Sequence, residues 1–222
     1  MATTEQKQIH IVLVDDHPLM REGLAEVLRR ESDLQVCGEA EDRARALTVI
    51  KATKPDLVIV DLALKNSHGL ELIKDISTMY PKLRTLVVSM HDEFVNAERC
   101  IRAGASGYIT KQEATTKILQ AVRCILGGEI YLSERAALQI ATKAAGRSRS
   151  GSGLTVDGLT DRELQVFELI GHGHSTRQIA DQLNLDVSTI ETYRARIKEK
   201  LHIRDSVELL QWAIRWNSSF RV

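Results

Sequence analysis

Long apolar runs are missing from this sequence, and cysteine, proline and aromatic residues are scarce. There are 3 cysteines and 3 prolines in 222 residues, and aromatics make up 4%. Cys37, Cys100 and Cys124 form no C-x-x-C pair and cannot all pair internally, so reduced, mostly buried thiols of a cytosolic protein are expected. No stretch reaches the ~18 apolar residues of a membrane span. The polar start of the chain lacks the apolar centre of a signal peptide. Charge of either sign is not in excess: Lys+Arg and Asp+Glu are both 30. That balance argues neither for nor against nucleic acid, because a small basic face can be offset elsewhere. These absences lead to the expectation of a soluble, cytoplasmic protein with no membrane partner. What is present is a 43% hydrophobic chain, long enough for one large domain or two ordinary ones.

The chain is organised around Leu57-Val58-Ile59-Val60-Asp61. Four branched aliphatics in a row suit a strand buried on both faces, as in a parallel sheet. Asp61 then stands at the strand's carboxyl end, where open α/β sheets place their ligands. A second such end lies upstream, where Ile9–Val14 runs into Asp15-Asp16. If these strands are neighbours, three carboxylates meet in one crevice. They repel one another and raise each other's pKa unless a cation sits among them, and an all-oxygen set suits Mg²⁺.

Strand-like and helix-like segments alternate from Ile9 to about Gly127. Helices are expected from Pro18 to about Glu31, over Arg43–Lys54, from Gly69 to Tyr80, over Phe94–Ala103 and over Thr115–Leu126. Strands are expected over Ile9–Val14, Leu34–Ala40, Leu57–Asp61, Leu83–Ser89 and Gly107–Thr110. The three prolines sit where they help: Pro18 at a helix start, Pro55 and Pro81 just past helix ends. Five βα repeats with short links imply a doubly wound parallel sheet.

The ordered set Asp15-Asp16, Asp61, Ser89, Tyr108, Lys111 resembles the receiver domain of two-component response regulators, a CheY-like fold. The resemblance implies an α/β receiver with a doubly wound five-stranded parallel sheet, flavodoxin-like, in the order 2-1-3-4-5. It implies Asp61 as the nucleophile that accepts a phosphoryl group. Asp15, Asp16, Asp61 and the Ala63 backbone carbonyl would hold Mg²⁺. Lys111 would pair with phosphoryl oxygens, Ser89 would hydrogen-bond the phosphate, and Tyr108 would move inward to fill the space left. Blander roles exist for each residue alone: Asp15 and Asp16 as caps of the Pro18 helix, Lys111 as a solvated lysine, Tyr108 as sheet packing. Three positions depart from the family pattern. Lys65 stands where many receivers carry proline, Gln112 follows Lys111 where many have a cis proline, and Met90 follows Ser89 where smaller residues are frequent.

Ser133 is placed to cap a short alanine-rich helix from Glu134 to about Ala145. The Gly/Ser stretch 146–153, with Arg147 and Arg149, reads as a flexible tether. This gives a receiver over 8–130, a linker over 131–154 and a second domain over 155–222.

That second domain opens with Thr160 and Glu163, a capping-box pair. A helix is expected to Gly171, a second from Ser175 or Thr176, a third from Asp186 or Ser188 to Leu201, and a fourth from Ser206 to Trp216. Short helices joined by tight turns suggest a helix-turn-helix. The stretches LTDRELQV, GHSTRQIADQL and STIETYRARIKEKL resemble the LuxR-type helix-turn-helix, so the chain resembles a NarL/FixJ-type response regulator, the receiver followed by an all-α four-helix domain. On the third helix Ile190, Ile197 and Leu201 form one stripe, with Tyr193 and Arg194 at its edges. On the outward side, Glu191, Thr192, Ala195 and Arg196 would lie nearest base edges, and Arg177, Thr189, Lys198 and Lys200 nearest phosphates. Glu191 replaces a lysine of some relatives; it can accept from cytosine N4 but repels phosphate. From Gly151 onward nine Lys+Arg face ten Asp+Glu, a net of −1, so DNA binding is expected to need a dimer. Arg194 is expected to pair with a carboxylate such as Glu163. His172 and His174 in a glycine turn make a poor metal site. LuxR-type domains pair through the last helix, so Leu209, Trp212, Ala213 and Trp216 are candidate dimer contacts.

The expected function is a transcriptional regulator, not an enzyme, switched when a sensor histidine kinase phosphorylates Asp61, binding double-stranded DNA as a homodimer. A phosphatase of the haloacid dehalogenase type would need an acid where Ala63 stands. An atypical receiver that works without phosphate remains the alternative, and Lys65 and Gln112 leave it room.

Overall fold

A computed structural model describes residues 8–64, 67–90, 93–145, 156, 158–183 and 185–218. The expectations for Lys65 and for the tether 146–153 lie outside the described residues. The chain divides into two compact units, Met1–Arg147 and Ser148–Val222.

In the first unit β1 (Ile9–Val14), α1 (Pro18–Arg29), β2 (Leu34–Ala40), α2 (Arg43–Thr53) and β3 (Leu57–Val60) are followed by a small hairpin, β4 (Ala63–Leu64) with β5 (Ser67–His68). Then come α3 (Gly69–Met79), β6 (Arg84–Ser89), α4 (Glu93–Arg102), β7 (Gly107–Thr110), α5 (Lys111–Leu126) and α6 (Glu134–Ala144). The main sheet is parallel, in the order β2-β1-β3-β6-β7. That is the expected 2-1-3-4-5 once the hairpin strands are set aside.

Alternation along the strands builds both faces of this sheet. Ile11, Leu13, Leu57, Ile59, Leu86, Val88 and Ile109 pack with Leu24, Leu28, Ile118, Val122 and Ile125 from α1 and α5. Their neighbours Val12, Val14, Val58 and Val60 pack with Ala46, Ile50, Leu72 and Ile76 from α2 and α3. A third cluster places Val87 and Tyr108 against Leu62, Leu70, Ile73, Ala97, Cys100 and Ala136. Both faces are thus closed by helices, as uninterrupted aliphatic strands require.

Two elements differ from expectation. The hairpin β4–β5 has no counterpart among the expected strands. In addition, α5 begins at Lys111 rather than Thr115. Thr110 has the extended N-cap conformation, and its Oγ1 donates to Glu113 Oε2 at 3.0 Å. The Thr-x-x-Glu spacing was the available signal.

The second unit holds α7 (Asp161–Gly171), α8 (Thr176–Leu183), α9 (Val187–Lys200) and α10 (Ser206–Ser218). The capping box forms: Glu163 N donates to Thr160 Oγ1, and Thr160 N donates to Glu163 Oε2. Among the described residues no helix is long and apolar enough to cross a membrane.

Candidate functional site

The parallel register sets Val14 beside Val60, so the next residues of β1 and β3 share one end of the sheet. Asp61 N donates to Val14 O at 2.8 Å, and Asp15 N to Ala40 O at 3.1 Å. Both carboxylates are therefore fixed by the ladder, and each residue is 3% exposed. The junction of β7 with α5 delivers the third member: Lys111 Nζ lies 2.7 Å from Asp61 Oδ2 and 2.6 Å from Asp15 Oδ2. Ala63 N donates to Asp61 Oδ1 at 3.3 Å. Gly69 makes the turn after Asp61 possible, since a Cβ there would stand 2.0 Å from the Asp61 carbonyl oxygen.

Burial pushes the Asp61 carboxyl above its ordinary range; Lys111 pulls it back in part, and Asp15 adds to the rise. Burial alone would lower the Lys111 ammonium, yet the paired carboxylates of Asp61 and Asp15 hold it above its usual value. Lys111 is not a solvated surface lysine.

Asp16 Oδ1 is buried and has no hydrogen-bond partner. His17 Nδ1 comes within 2.7 Å of it and 3.1 Å of Asp15 Oδ1; only the second approach has hydrogen-bond geometry. Asp15, Asp16, His17 and Asp61 are the one group of this kind among the described residues with ligand atoms mutually within 4.8 Å. An orphaned buried carboxylate oxygen beside two fixed carboxylates fits a hard divalent cation. The helix-cap reading of the acids fares less well, since His17 occupies the N-cap of α1 and makes no side-chain cap bond. Asp15 does accept from His17 N at 2.9 Å. His17 was missed in the sequence, although it directly follows the acid pair.

Ser89 and Tyr108 end β6 and line β7, and both are fully buried. The linker helps to cover Tyr108: Tyr108 N donates to Tyr131 O at 2.9 Å, Tyr131 N to Ser106 O at 3.0 Å, and Ala136 of α6 packs in the Tyr108 cluster. Glu93 of α4 accepts from Ser133 N at 2.9 Å. Neither Glu93 nor Ala136 was singled out by motif. Met90 is largely exposed beyond Ser89, and the Lys111–Gln112 peptide bond is trans.

In the second unit, Ile190 and Ile197 of α9 are buried, and Ser188, Glu191, Thr192, Ala195, Arg196 and Glu199 are exposed. Thr189 and Lys198 are half-buried, and Arg177 on α8 is exposed. Among the described residues Arg177, Arg196 and Lys198 have no carboxylate partner. Lys200 differs: its Nζ lies 2.6 Å from Glu163 Oε2, so it is drawn to the domain's own acid rather than left for phosphate. Arg194 therefore does not pair with Glu163; its Nε lies 3.8 Å from Glu191 Oε2. Thr176 Oγ1 donates to Glu191 Oε1 at 3.0 Å. Thr192 Oγ1 donates back to Ser188 O at 3.0 Å. His172 Nδ1 meets Glu168 O at 2.9 Å, a helix-end contact.

The last helix corrects one expectation. Leu209, Ala213 and Trp216 are 0%, 0% and 4% exposed, and the Trp216 ring packs edge-on to Phe167 at 5.5 Å. They belong to the domain core, not to a dimer contact, and Trp212 is half-buried beside them. The outward apolar residues of α10 are Val207, Leu210 and Ile214, spaced for one helical stripe.

Comparison with known proteins agrees with this division. Residues 11–123 match the response regulator receiver domain, and residues 157–213 match the luxR family of bacterial regulatory proteins. Response regulator GacA of Pseudomonas aeruginosa is 35% identical, over 93% of this chain and 96% of its own length. Response regulator UvrY of Escherichia coli K12 is 31% identical, over 93% and 94%. The fold is shared with RcsB of Salmonella enterica serovar Typhimurium, solved on promoter rprA with the phosphomimetic BeF3-: TM-score 0.63, 23% identity, covering 93% of this chain and 98% of that one.

Proposed function

The chain belongs to the response regulators that join a receiver domain to a LuxR-type helix-turn-helix, and from that premise we propose that phosphorylation of Asp61 by a sensor histidine kinase controls its binding to promoter DNA. The observation that supports this most is the triad of buried Asp61, buried Asp15 and the Lys111 ammonium bridging them, beside the orphaned Asp16 oxygen.

Asp61 Oδ attacks the phosphorus of a phosphohistidine, and the P–N bond breaks as the P–O bond forms. Mg²⁺, held by Asp15, Asp16, Asp61 and the Ala63 carbonyl, would neutralise charge on the transferring group. Lys111 meets the new dianion with a charge already in place, so little reorganisation is needed. Ser89 takes a phosphoryl oxygen as hydrogen-bond acceptor at the end of β6. The rearrangement around Tyr108 passes directly to the linker, because Tyr131 pairs with β7 and α6 packs on the Tyr108 cluster.

We assign 8–130 to the receiver, 131–154 to the linker and 155–222 to the DNA-binding domain. The active form is a homodimer joined through Val207, Leu210 and Ile214 of α10, placing two copies of α9 on a two-fold site. Thr192, Ala195 and Arg196 face bases, and Arg177, Thr189 and Lys198 face phosphates. The protein works in the cytoplasm, where its three free thiols stay reduced.

The test is treatment with Mg²⁺ and beryllofluoride, followed by solution mass and affinity for a promoter library. Dimer formation and tighter DNA binding, both absent in Asp61→Asn, are expected. Equal behaviour of wild type and Asp61→Asn would overturn the switch and leave a phosphate-independent receiver.

A further inference from the structure

Glu191 stands in the second turn of α9, where a recognition helix meets base edges. Its side chain is 58% exposed, yet the carboxylate is held at both oxygens. Thr176, at the start of α8, donates to Oε1 at 3.0 Å, and Arg194 Nε stands 3.8 Å from Oε2. Arg194 is itself only 16% exposed, so its stem is packed and its guanidinium has little freedom. The acid is therefore oriented before any ligand arrives, and less side-chain entropy is lost on binding.

An oriented acid on this face is a liability unless it finds a donor. The domain is already net −1 from Gly151 onward, and phosphates repel carboxylates. The major groove offers donors on two bases, cytosine N4–H₂ and adenine N6–H₂. A carboxylate accepts and cannot donate. Adenine sets its N7 acceptor beside the N6 donor, guanine shows only N7 and O6, and thymine shows O4. Cytosine alone presents a donor without a competing acceptor of its own. Arg194 offsets part of the negative charge and so lowers the cost of carrying the acid into the groove.

Resting on the DNA-binding reading above, we infer that Glu191 selects a cytosine in each half-site by accepting from its N4 amino group, with Thr176 and Arg194 as positioning residues. This departs from a helix that binds through positive charge alone: the acid trades general affinity for choice of base.

The experiment is selection from random double-stranded DNA by the full beryllofluoride-activated chain, comparing wild type with Glu191→Ala, Glu191→Lys and Thr176→Val. Wild type should favour cytosine at one position of each half-site on the order of tenfold. Glu191→Ala should make that position indifferent and leave the rest of the site intact, with equal or tighter binding to sites carrying other bases there. Glu191→Lys should move the preference to guanine, whose N7 and O6 accept. Thr176→Val should weaken the cytosine preference and leave the other positions unchanged. An identical selected site from wild type and Glu191→Ala would overturn the inference while leaving the DNA-binding reading in place. If wild type enriches no sequence at all, both fall. If Thr176→Val keeps the full cytosine preference, its positioning role is overturned.

Discussion

Lys111 is the residue on which the resting state of the receiver turns. Its ammonium faces two buried carboxylates at once, so removing it leaves uncompensated charge in a dry site. Breaking such a pair costs about 3 kcal/mol or more. Lys111→Met should therefore destabilise the protein by about that amount near neutral pH, read by calorimetry. Asp61 already has a raised pKa in the fold. A raised carboxyl weakens the fold above its folded pKa and costs nothing below its unfolded value of ~4. The penalty of Lys111→Met should thus shrink as pH falls toward 4, and saturating Mg²⁺ at neutral pH should restore much of the loss. A deficit equal at every pH and indifferent to Mg²⁺ would mean the lysine contributes by packing alone. The run of strand-forming aliphatics before Asp15-Asp16 and before Asp61 announced that these acids would meet at one end of the sheet. It did not announce their partners. Lys200 on Glu163, Arg194 on Glu191 and His17 against the acid pair are choices among nearby charges, and spacing along one helix does not decide them.

At the scale of elements, the ends of helices were more legible than what covers them. Thr160 and Glu163 sit three residues apart and form the expected capping box, but Glu163 also anchors Lys200 from the end of α9. Burial opposes its ionisation, while the hydrogen bonds from Lys200 and Thr160 outweigh burial and hold its pKa below the usual value. A lowered carboxyl contributes stability above its unfolded pKa of ~4.3, and that contribution is lost as pH falls through the folded value. Glu163→Gln should cost roughly 1–2 kcal/mol at pH 7, and the difference from wild type should close in acid. Trp212 and Trp216 sit on α10, which packs against α7, so their fluorescence reports it. The hairpin β4–β5 was illegible because two-residue strands carry too little pattern. The linker was half legible: Ser133 caps α6 as its position suggests, accepting from Ala136 N at 3.2 Å. That the same turn bonds to Glu93 depends on a packing partner 40 residues away. Glu93→Gln keeps an acceptor and should preserve this contact, whereas Glu93→Ala should release α6. Hydrogen exchange at Ser133 and along α6 should then rise in the alanine variant and stay near wild type in the glutamine variant.

Across the whole molecule, the balance of charge decides how DNA must be held. Equal numbers of acidic and basic residues leave the attraction to phosphate to local groups. Arg177 and Lys198, the cations placed at phosphates, have no carboxylate partner among the described residues, so each copy brings two. A dimer brings four, and with ~0.9 counterions released per phosphate contact the log–log salt slope of specific binding should be about −4. The pairing proposed above would come from apolar surface. Here composition misled: tryptophan on a terminal helix suggested an interface, but Trp216 is buried and packs edge-on to Phe167 of α7. Helix periodicity alone does not say which face turns inward, and the apolar residues of α10 that stay exposed are Val207, Leu210 and Ile214. Leu210→Glu places a charge at its centre without touching the core. It should abolish the beryllofluoride-induced dimer formed through the second unit and lower affinity for a two-fold site by on the order of 10²-fold. Binding to a single half-site, set by α9 alone, should be unchanged, and its salt slope should be about half that of the dimer. If Leu210→Glu binds the two-fold site as wild type does, pairing on DNA uses another surface, and α10 is only the closing helix of its domain.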